Sequence, residues 1–383
     1  MKKTAVARYL TPFIKEDLKK KMIFIGGPRQ VGKTTCSLSL LGVAATENHN
    51  AYLSWDDIGD RQKILNQQLP GGQKLIVIDE IHKYKNWRNL IKGLYDKNKS
   101  HIKFVVTGSA RLDYLLKGGD SLVGRYHYYR LHPFSLGEAT KNPTLSDLEY
   151  LLRFGGFPEP FFLGSEKNQR RWQLERNRRV VYDDLRSLEN VKEITTIETL
   201  VSVLPERVGA PLSIEKLRIL LNTSHQTMER YIQILERLYV VYRIPPFGSA
   251  KVKAVKKEQK LYFWDWSQVV DSGARFENLV ASHLLKYCHF IEDTQGFEMD
   301  LRFIRNVEGK EIDFVVLQNK KPIFAVECKS GERALNPAIQ YFKDRLIIPK
   351  VYQVHLGKKD FGNEETTGRV LPFIEFCKQE NLI

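Results

Sequence analysis

The ten residues GGPRQVGKTT, 26–35, restrict what this chain can fold into more than any other stretch. They follow a short apolar run, KMIFIGG, and lead into a helix-compatible TTCSLSLLG. An apolar run that breaks into glycines predicts a buried strand turning into a loop, so the segment predicts strand, loop, helix. The pattern G-x-x-x-x-G-K-[ST] is filled by Gly27, Pro28, Arg29, Gln30, Val31, Gly32, Lys33 and Thr34, with Thr35 next. Glycine is needed because main-chain N–H groups must turn inward and meet phosphate oxygens with no side chain between. Lys33 then neutralises β- and γ-phosphate oxygens, and the Thr34 hydroxyl is the expected Mg²⁺ ligand. ATP and Mg²⁺ are the expected cofactors.

Two further strands carry chemistry at their C-terminal ends, where open parallel sheets bind ligands. KLIVIDE predicts a buried strand that delivers Asp79 to the metal and Glu80 to the attacking water as general base. IKFVVTGSAR ends in Thr107, Ser109 and Arg111, a hydroxyl and a cation within reach of a γ-phosphate. Arg125 precedes another apolar–aromatic run and has two readings: a cation aimed at the γ-phosphate in cis or across a subunit interface, or a surface arginine. His82 has two readings, a group that mediates coupling or a histidine packed beside the strand. Asp56 and Asp57, after Tyr52–Leu53, read as a solvated turn or as outer partners of the metal.

GGPRQVGKTT, LIVIDEIHK, FVVTGSAR, SLVGRYHYYRLHPFSL and RFGGFPEP together resemble a prokaryotic family of AAA-type P-loop ATPases whose C-terminal half is labelled a domain of unknown function. The resemblance spans essentially the whole chain, and its most specific motifs lie in the first 160 residues or so. It implies that Lys33, Thr34, Asp79 and Glu80 belong to Walker A and Walker B motifs, and that Arg111 is a sensor arginine.

At 383 residues the chain exceeds one ordinary core. The expected organisation is an AAA-type P-loop α/β domain with a parallel sheet (1–140), a helical lid or connector (141–205), a winged-helix domain (206–268) and a restriction-endonuclease-like α/β domain (269–383). No apolar run is long enough for a membrane span, and the N-terminus lacks the apolar core of a signal peptide. Four cysteines far apart in sequence argue against a zinc ribbon and fit a reducing cytoplasm. A net charge of +15 favours a polyanionic partner.

The segment 212–264 predicts a short amphipathic helix, a turn, and a second helix opening at Thr223 with Gln226 in capping-box spacing. The second helix buries Met228, Tyr231, Ile232, Leu235, Leu238 and Tyr239, and presents His225, Gln226, Glu229, Arg230, Gln233 and Arg237. Two strands follow, joined by a loop bearing Lys251, Lys253, Lys256 and Lys257. Helix–turn–helix plus a basic wing is a winged-helix reading and makes DNA the expected partner. Upstream, Arg170, Arg171, Arg176, Arg178 and Arg179 read as a solvated basic face.

Near the end of the chain a helix carrying Glu277 precedes a strand with Asp313 at the start of its apolar run and a strand ending in Glu327-Cys328-Lys329, then a helix with Gln340 and Tyr341. This order resembles the PD-(D/E)XK endonuclease fold, although Ile312 replaces the proline often found before the first aspartate. The resemblance implies that Asp313 and Glu327 bind Mg²⁺ and that Lys329 stabilises developing charge. Cutting stays open at this point. The expected function is an ATPase coupled to DNA binding, with or without a nuclease. The alternative is a regulatory ATPase whose C-terminal regions dock DNA or protein. A homo-oligomer or protein partner is compatible with either.

Overall fold

The computed structural model describes residues 8–42, 44–108, 122–180, 182, 194–248 and 258–382. It resolves into two compact units, Met1–Pro133 and Phe134–Ile383.

The first unit is a five-stranded sheet built from β1 (Met22–Gly26), β2 (Tyr52–Ser54), β3 (Leu75–Asp79), β4 (Lys103–Thr107) and β5 (Tyr126–Arg130). The order is β2-β3-β4-β1-β5, and every neighbouring pair is parallel. Strands covered on both faces read as continuous apolar runs, as MIFIG and LIVID do. Phe24, Ile76, Ile78 and Val106 pack with Trp87, Ile91 and Leu94 of the helix Trp87–Asn98, whose apolar residues recur at helical spacing. Ile25 pairs with Thr107 and Ser54 with Asp79, so the C-terminal ends of four strands share one edge. That edge carries the candidate site.

The second unit begins with helices Leu145–Phe154, Pro158–Leu163, Glu166–Arg179 and Ile194–Val203. Thr144 and Asp147 cap the first of these reciprocally. Arg176 departs from the expected solvated basic face. It is 1% exposed, sits 4.4 Å from the Phe157 ring centroid, and donates to the Tyr239 carbonyl at 3.1 Å. Aromatic faces and one carbonyl replace its water.

Helices Ile214–Leu220 and His225–Arg237 follow, then an antiparallel hairpin of β6 (Val241–Ile244) and β7 (Lys260–Phe263). The second helix is capped one residue later than expected, by Ser224, whose hydroxyl accepts from the Thr227 amide at 3.0 Å. Thr223 is held in the turn instead: Asn222 takes a left-handed φ of 48°, and the Thr223 amide closes on the Arg218 carbonyl at 2.9 Å. Met228, Tyr231, Ile232 and Leu235 are buried as expected, and Ile234 joins them. The wing lysines Lys251, Lys253, Lys256 and Lys257 lie outside the described residues.

The remainder is an α/β fold. The helix Ser272–Gln295 leads into a six-stranded sheet ordered β12-β13-β11-β10-β9-β8, made of β8 (Met299–Arg305), β9 (Glu311–Gln318), β10 (Lys321–Lys329), β11 (Lys350–His355), β12 (Phe361–Asn363) and β13 (Gly368–Pro372). β8, β9 and β10 are antiparallel neighbours, β11 joins β10 in parallel, and the helix Pro337–Leu346 makes the crossover between them. The outer edge of β8 is met by the chain leaving β6: the Phe247 amide donates to the Phe303 carbonyl at 2.7 Å. Among the described residues no helix is long and apolar enough to cross a membrane.

Candidate functional site

Between β1 and the helix Lys33–Leu41 the loop needs glycine at both ends. Gly27 has φ 135°, and a Cβ there would lie 2.3 Å from the Leu131 carbonyl oxygen. Gly32 has φ 94° and turns the chain into the helix. The buried Lys33 ammonium donates to the carbonyls of Gly27 at 3.0 Å and Pro28 at 2.8 Å, so it is already curled over the loop it would serve. Arg8, unremarked in the sequence, clamps the loop from outside by donating to the Val31 carbonyl at 2.7 Å and the His132 carbonyl at 2.5 Å.

Asp79 is the hub. Thr34 Oγ1 donates to its Oδ2 at 2.9 Å, Tyr52 Oη donates to the same oxygen at 2.6 Å, and Thr107 Oγ1 donates to Oδ1. The Glu80 amide completes the set at 3.0 Å. The structure therefore brings Lys33, Thr34, Asp79, Glu80 and Thr107 together. Tyr52 joins them although the sequence reading passed over it. The Thr107 hydroxyl is directed at Asp79. Burial and then Asp79 push the Tyr52 phenol well above its ordinary range, so it remains a donor.

Glu80 is held at φ 56°, left-handed for a residue with a side chain, by its amide bonds to Asp79 and to the Thr107 carbonyl at 3.1 Å. Burial, then the Asp79 carboxylate, raise its carboxyl above the ordinary range, the direction that suits a general base. His82 Nε2 lies 3.6 Å and Lys83 Nζ 3.5 Å from Glu80 Oε2. Asp57 is a helix cap, accepting from the Asp60 amide at 2.8 Å, and Asp56 pairs with Lys83 at 2.5 Å.

Arg125 is not brought to this edge. β5 runs parallel to β1 with Met22 beside Tyr126 and Gly26 beside Arg130, which leaves Arg125 at the opposite end of the sheet. There it forms a fork to Asp96, 2.9 and 3.1 Å, and the action in cis has no geometry within this chain. Ser109 and Arg111 lie outside the described residues.

The donor set at Asp79 fits Mg²⁺. Thr34 Oγ1 and Asp79 Oδ2 are hard oxygens 2.9 Å apart, and Mg²⁺ is commonly held by one carboxylate, a hydroxyl, phosphates and water.

A second cluster lies in the C-terminal unit. It gathers Glu277, Asp313, Glu327 and Lys329, and adds Lys260, Glu311, Tyr262 and Asn336. Lys260 is fully buried, with Nζ 2.5 Å from Glu311, 3.0 Å from Asp313 and 3.2 Å from Glu277. Burial pulls its ammonium down, yet Asp313, Glu277 and Glu311 together hold it well above the ordinary lysine range. Asp313 Oδ2 accepts from the Cys328 amide at 2.9 Å. Glu327 Oε1 accepts from Lys329 at 2.6 Å and Asn336 at 2.7 Å, and its Oε2 from the Asp313 amide at 3.3 Å. Burial, then Asp313, push Glu327 up to about 7 and Glu277 up to about 8. Gln340 does not join the cluster but donates to Asp344 at 2.7 Å, while Tyr341 stacks under Arg345.

The cluster does not fit the Mg²⁺ that the fold resemblance implies. An ammonium, that of Lys260, lies among the carboxylates of Glu277, Glu311 and Asp313 at 2.5 to 3.2 Å. Among the described residues no group of three or more His, Cys, Asp or Glu is arranged to hold a metal.

Residues 19–140 match the AAA domain family, 145–270 match a domain of unknown function (DUF8612), and 272–376 match another (DUF4143). Curated relatives are named only as uncharacterized proteins. One from Methanocaldococcus jannaschii is 24% identical over 92% of this chain and 86% of its own. One from Haemophilus influenzae is 24% identical over 68% and 67%, and one from Mycobacterium tuberculosis is 25% identical over 64% and 54%. Among solved structures, the Aeropyrum pernix Orc1 protein in complex with DNA aligns at 13% identity and TM-score 0.33, covering 72% of this chain and 93% of that one. The Thermotoga maritima RuvB Holliday junction branch migration motor aligns at 16% and 0.30, covering 62% and 87%. Likeness at that level carries no argument. The loop that only glycine can make, the shared edge of a parallel sheet and the match over 19–140 agree: the N-terminal unit is a P-loop fold that matches the AAA domain family, and it is continued by regions that match domains of unknown function.

Proposed function

We propose that the chain binds ATP with Mg²⁺ through its N-terminal unit, hydrolyses it, and couples turnover to DNA binding. The observation that carries the reading is the convergence of the Thr34, Thr107 and Tyr52 hydroxyls on Asp79, with Glu80 next in sequence and Lys33 poised over the loop. The Lys33 ammonium would exchange two loop carbonyls for phosphate oxygens. Mg²⁺ would supply charge neutralisation at the phosphates, held by Thr34 and Asp79. Glu80 orients water and takes its proton. Arg111 as a sensor and Arg125 acting across a homo-oligomer interface complete the proposal for this site.

DNA contact rests on the net charge of +15, on the two-helix segment followed by a hairpin, and on four lysines in the hairpin loop. That arrangement supports the winged-helix reading, with the lysines on phosphates. For the C-terminal α/β region we favour the docking alternative over the nuclease, because the Lys260 ammonium already lies among Glu277, Glu311 and Asp313.

Glu80→Gln tests the reading. With radiolabelled ATP, it should keep nucleotide affinity within about threefold and lose roughly 10²–10⁴ in turnover. Wild-type turnover in Glu80→Gln would remove Glu80 from the chemistry.

A further inference from the structure

We infer that Lys260 is a built-in cation: its ammonium takes the position among Glu277, Glu311 and Asp313 that a divalent ion would need, and closes the endonuclease-like cluster to metal. The inference is independent of the nucleotide reading.

The placement is enforced from several directions. Asn278 of the helix Ser272–Gln295 grips the main chain of Phe263 on both sides, accepting from its amide and donating to its carbonyl at 2.8 Å each. That fixes β7 against the helix. Along β7, Lys260 and Tyr262 alternate onto one face, and Tyr262 Oη donates to Glu277 Oε1 at 2.7 Å, beside the ammonium. Pro211 bridges to Lys260 on its other side, and the Leu212 amide donates to the Gln259 carbonyl at 2.8 Å. The Lys260 side chain thus has 0% exposure and a direction set by three segments.

Charge supports the same assignment. Glu277, Glu311, Asp313 and Glu327 would repel one another without a cation at the centre. Lys329 reaches only Glu327 and Arg305 only Glu311, both from the margin. Lys260 alone touches three of the four. The consequence is mechanical as well as chemical. The hairpin that bears the proposed DNA-binding wing is latched to the endonuclease-like sheet through this ammonium, so metal entry would require β7 to leave.

The test uses the full chain without nucleotide and Mn²⁺ as the probe, counted by electron paramagnetic resonance and followed by thermal unfolding. Wild type should show no bound Mn²⁺ that Asp313→Asn removes. A wild-type Mn²⁺ ion lost in Asp313→Asn and in Glu327→Gln would overturn the inference, whatever the other variants do. Lys260→Ala should lower the unfolding midpoint several times more than Lys329→Ala, and millimolar Mn²⁺ should restore part of that loss only while Asp313 is intact. Equal effects of the two alanines, or no Asp313-dependent rescue, would equally contradict it.

Discussion

Asp79 accepts from four donors, and Lys260 donates to three carboxylates. Both follow from the cost of burying a charge without partners. His283 shows the neutral counterpart. Its Nδ1 lies 2.8 Å from the Leu279 carbonyl and its Nε2 accepts from the Leu136 amide at 2.9 Å, an arrangement that has no place for a second proton. Burial lowers its pKa to about 3. The unfolded chain therefore takes up the proton first, so stability is complete above about pH 6.5 and is lost as pH falls towards 3. Denaturant unfolding at pH 7.5 and pH 5 should show His283→Gln losing about 2 kcal/mol less than wild type over that interval. Equal losses would mean that His283 titrates normally. Residues at this scale were unevenly legible. Asp79 and Thr107 follow from strand ends in a parallel sheet, and Thr34 from the glycine loop that leads into a helix. Tyr52, Asn336 and Lys260 do not, because their partners lie far away in sequence and depend on side-chain direction. One signal was present: in KLYFWD, Lys260 and Tyr262 alternate onto the same face of an apolar strand, which demands a buried anion.

Elements were the most readable level. Apolar runs ending in glycine or in Asp-Glu became β1 and β3, and the 3.6-residue stripe of Met228, Tyr231, Ile232 and Leu235 became a helix face. The error at the second helix was one residue in the cap, where Ser224 and Thr223 compete with equal chemistry. Arg243 of β6 reaches back to Glu229 and Glu236 at 2.8 Å each, which ties the hairpin to the helix proposed to meet DNA and masks acidic groups there. In the proposed DNA-binding reading, the wing lysines carry the phosphate contacts. Replacing Lys251, Lys253, Lys256 and Lys257 by alanine should flatten the slope of log affinity against log salt by about 3 to 4, at about 0.9 per phosphate contact. Fluorescence anisotropy with duplex DNA reads this directly, and an unchanged slope would move the DNA contact elsewhere.

For the molecule as a whole, one chain carries a phosphate loop in its N-terminal unit and an α/β sheet with a buried acidic cluster in its C-terminal unit. The N-terminal unit gathers Lys33, Thr34, Asp79, Glu80 and Thr107 at one sheet edge. The C-terminal unit keeps the acidic cluster but fills it with its own lysine. The order of motifs along the chain leaves cutting open, and it could not reveal that filling, since Lys260 and Asp313 are separated by 53 positions. An ATPase that uses the C-terminal fold for docking reconciles both observations. Titration calorimetry of the full chain with ATP and Mg²⁺ tests the central claim most directly. One molecule of ATP should bind per chain, with the heat abolished in Lys33→Ala. No heat with folded wild-type protein, or an unchanged isotherm in Lys33→Ala, would contradict the account.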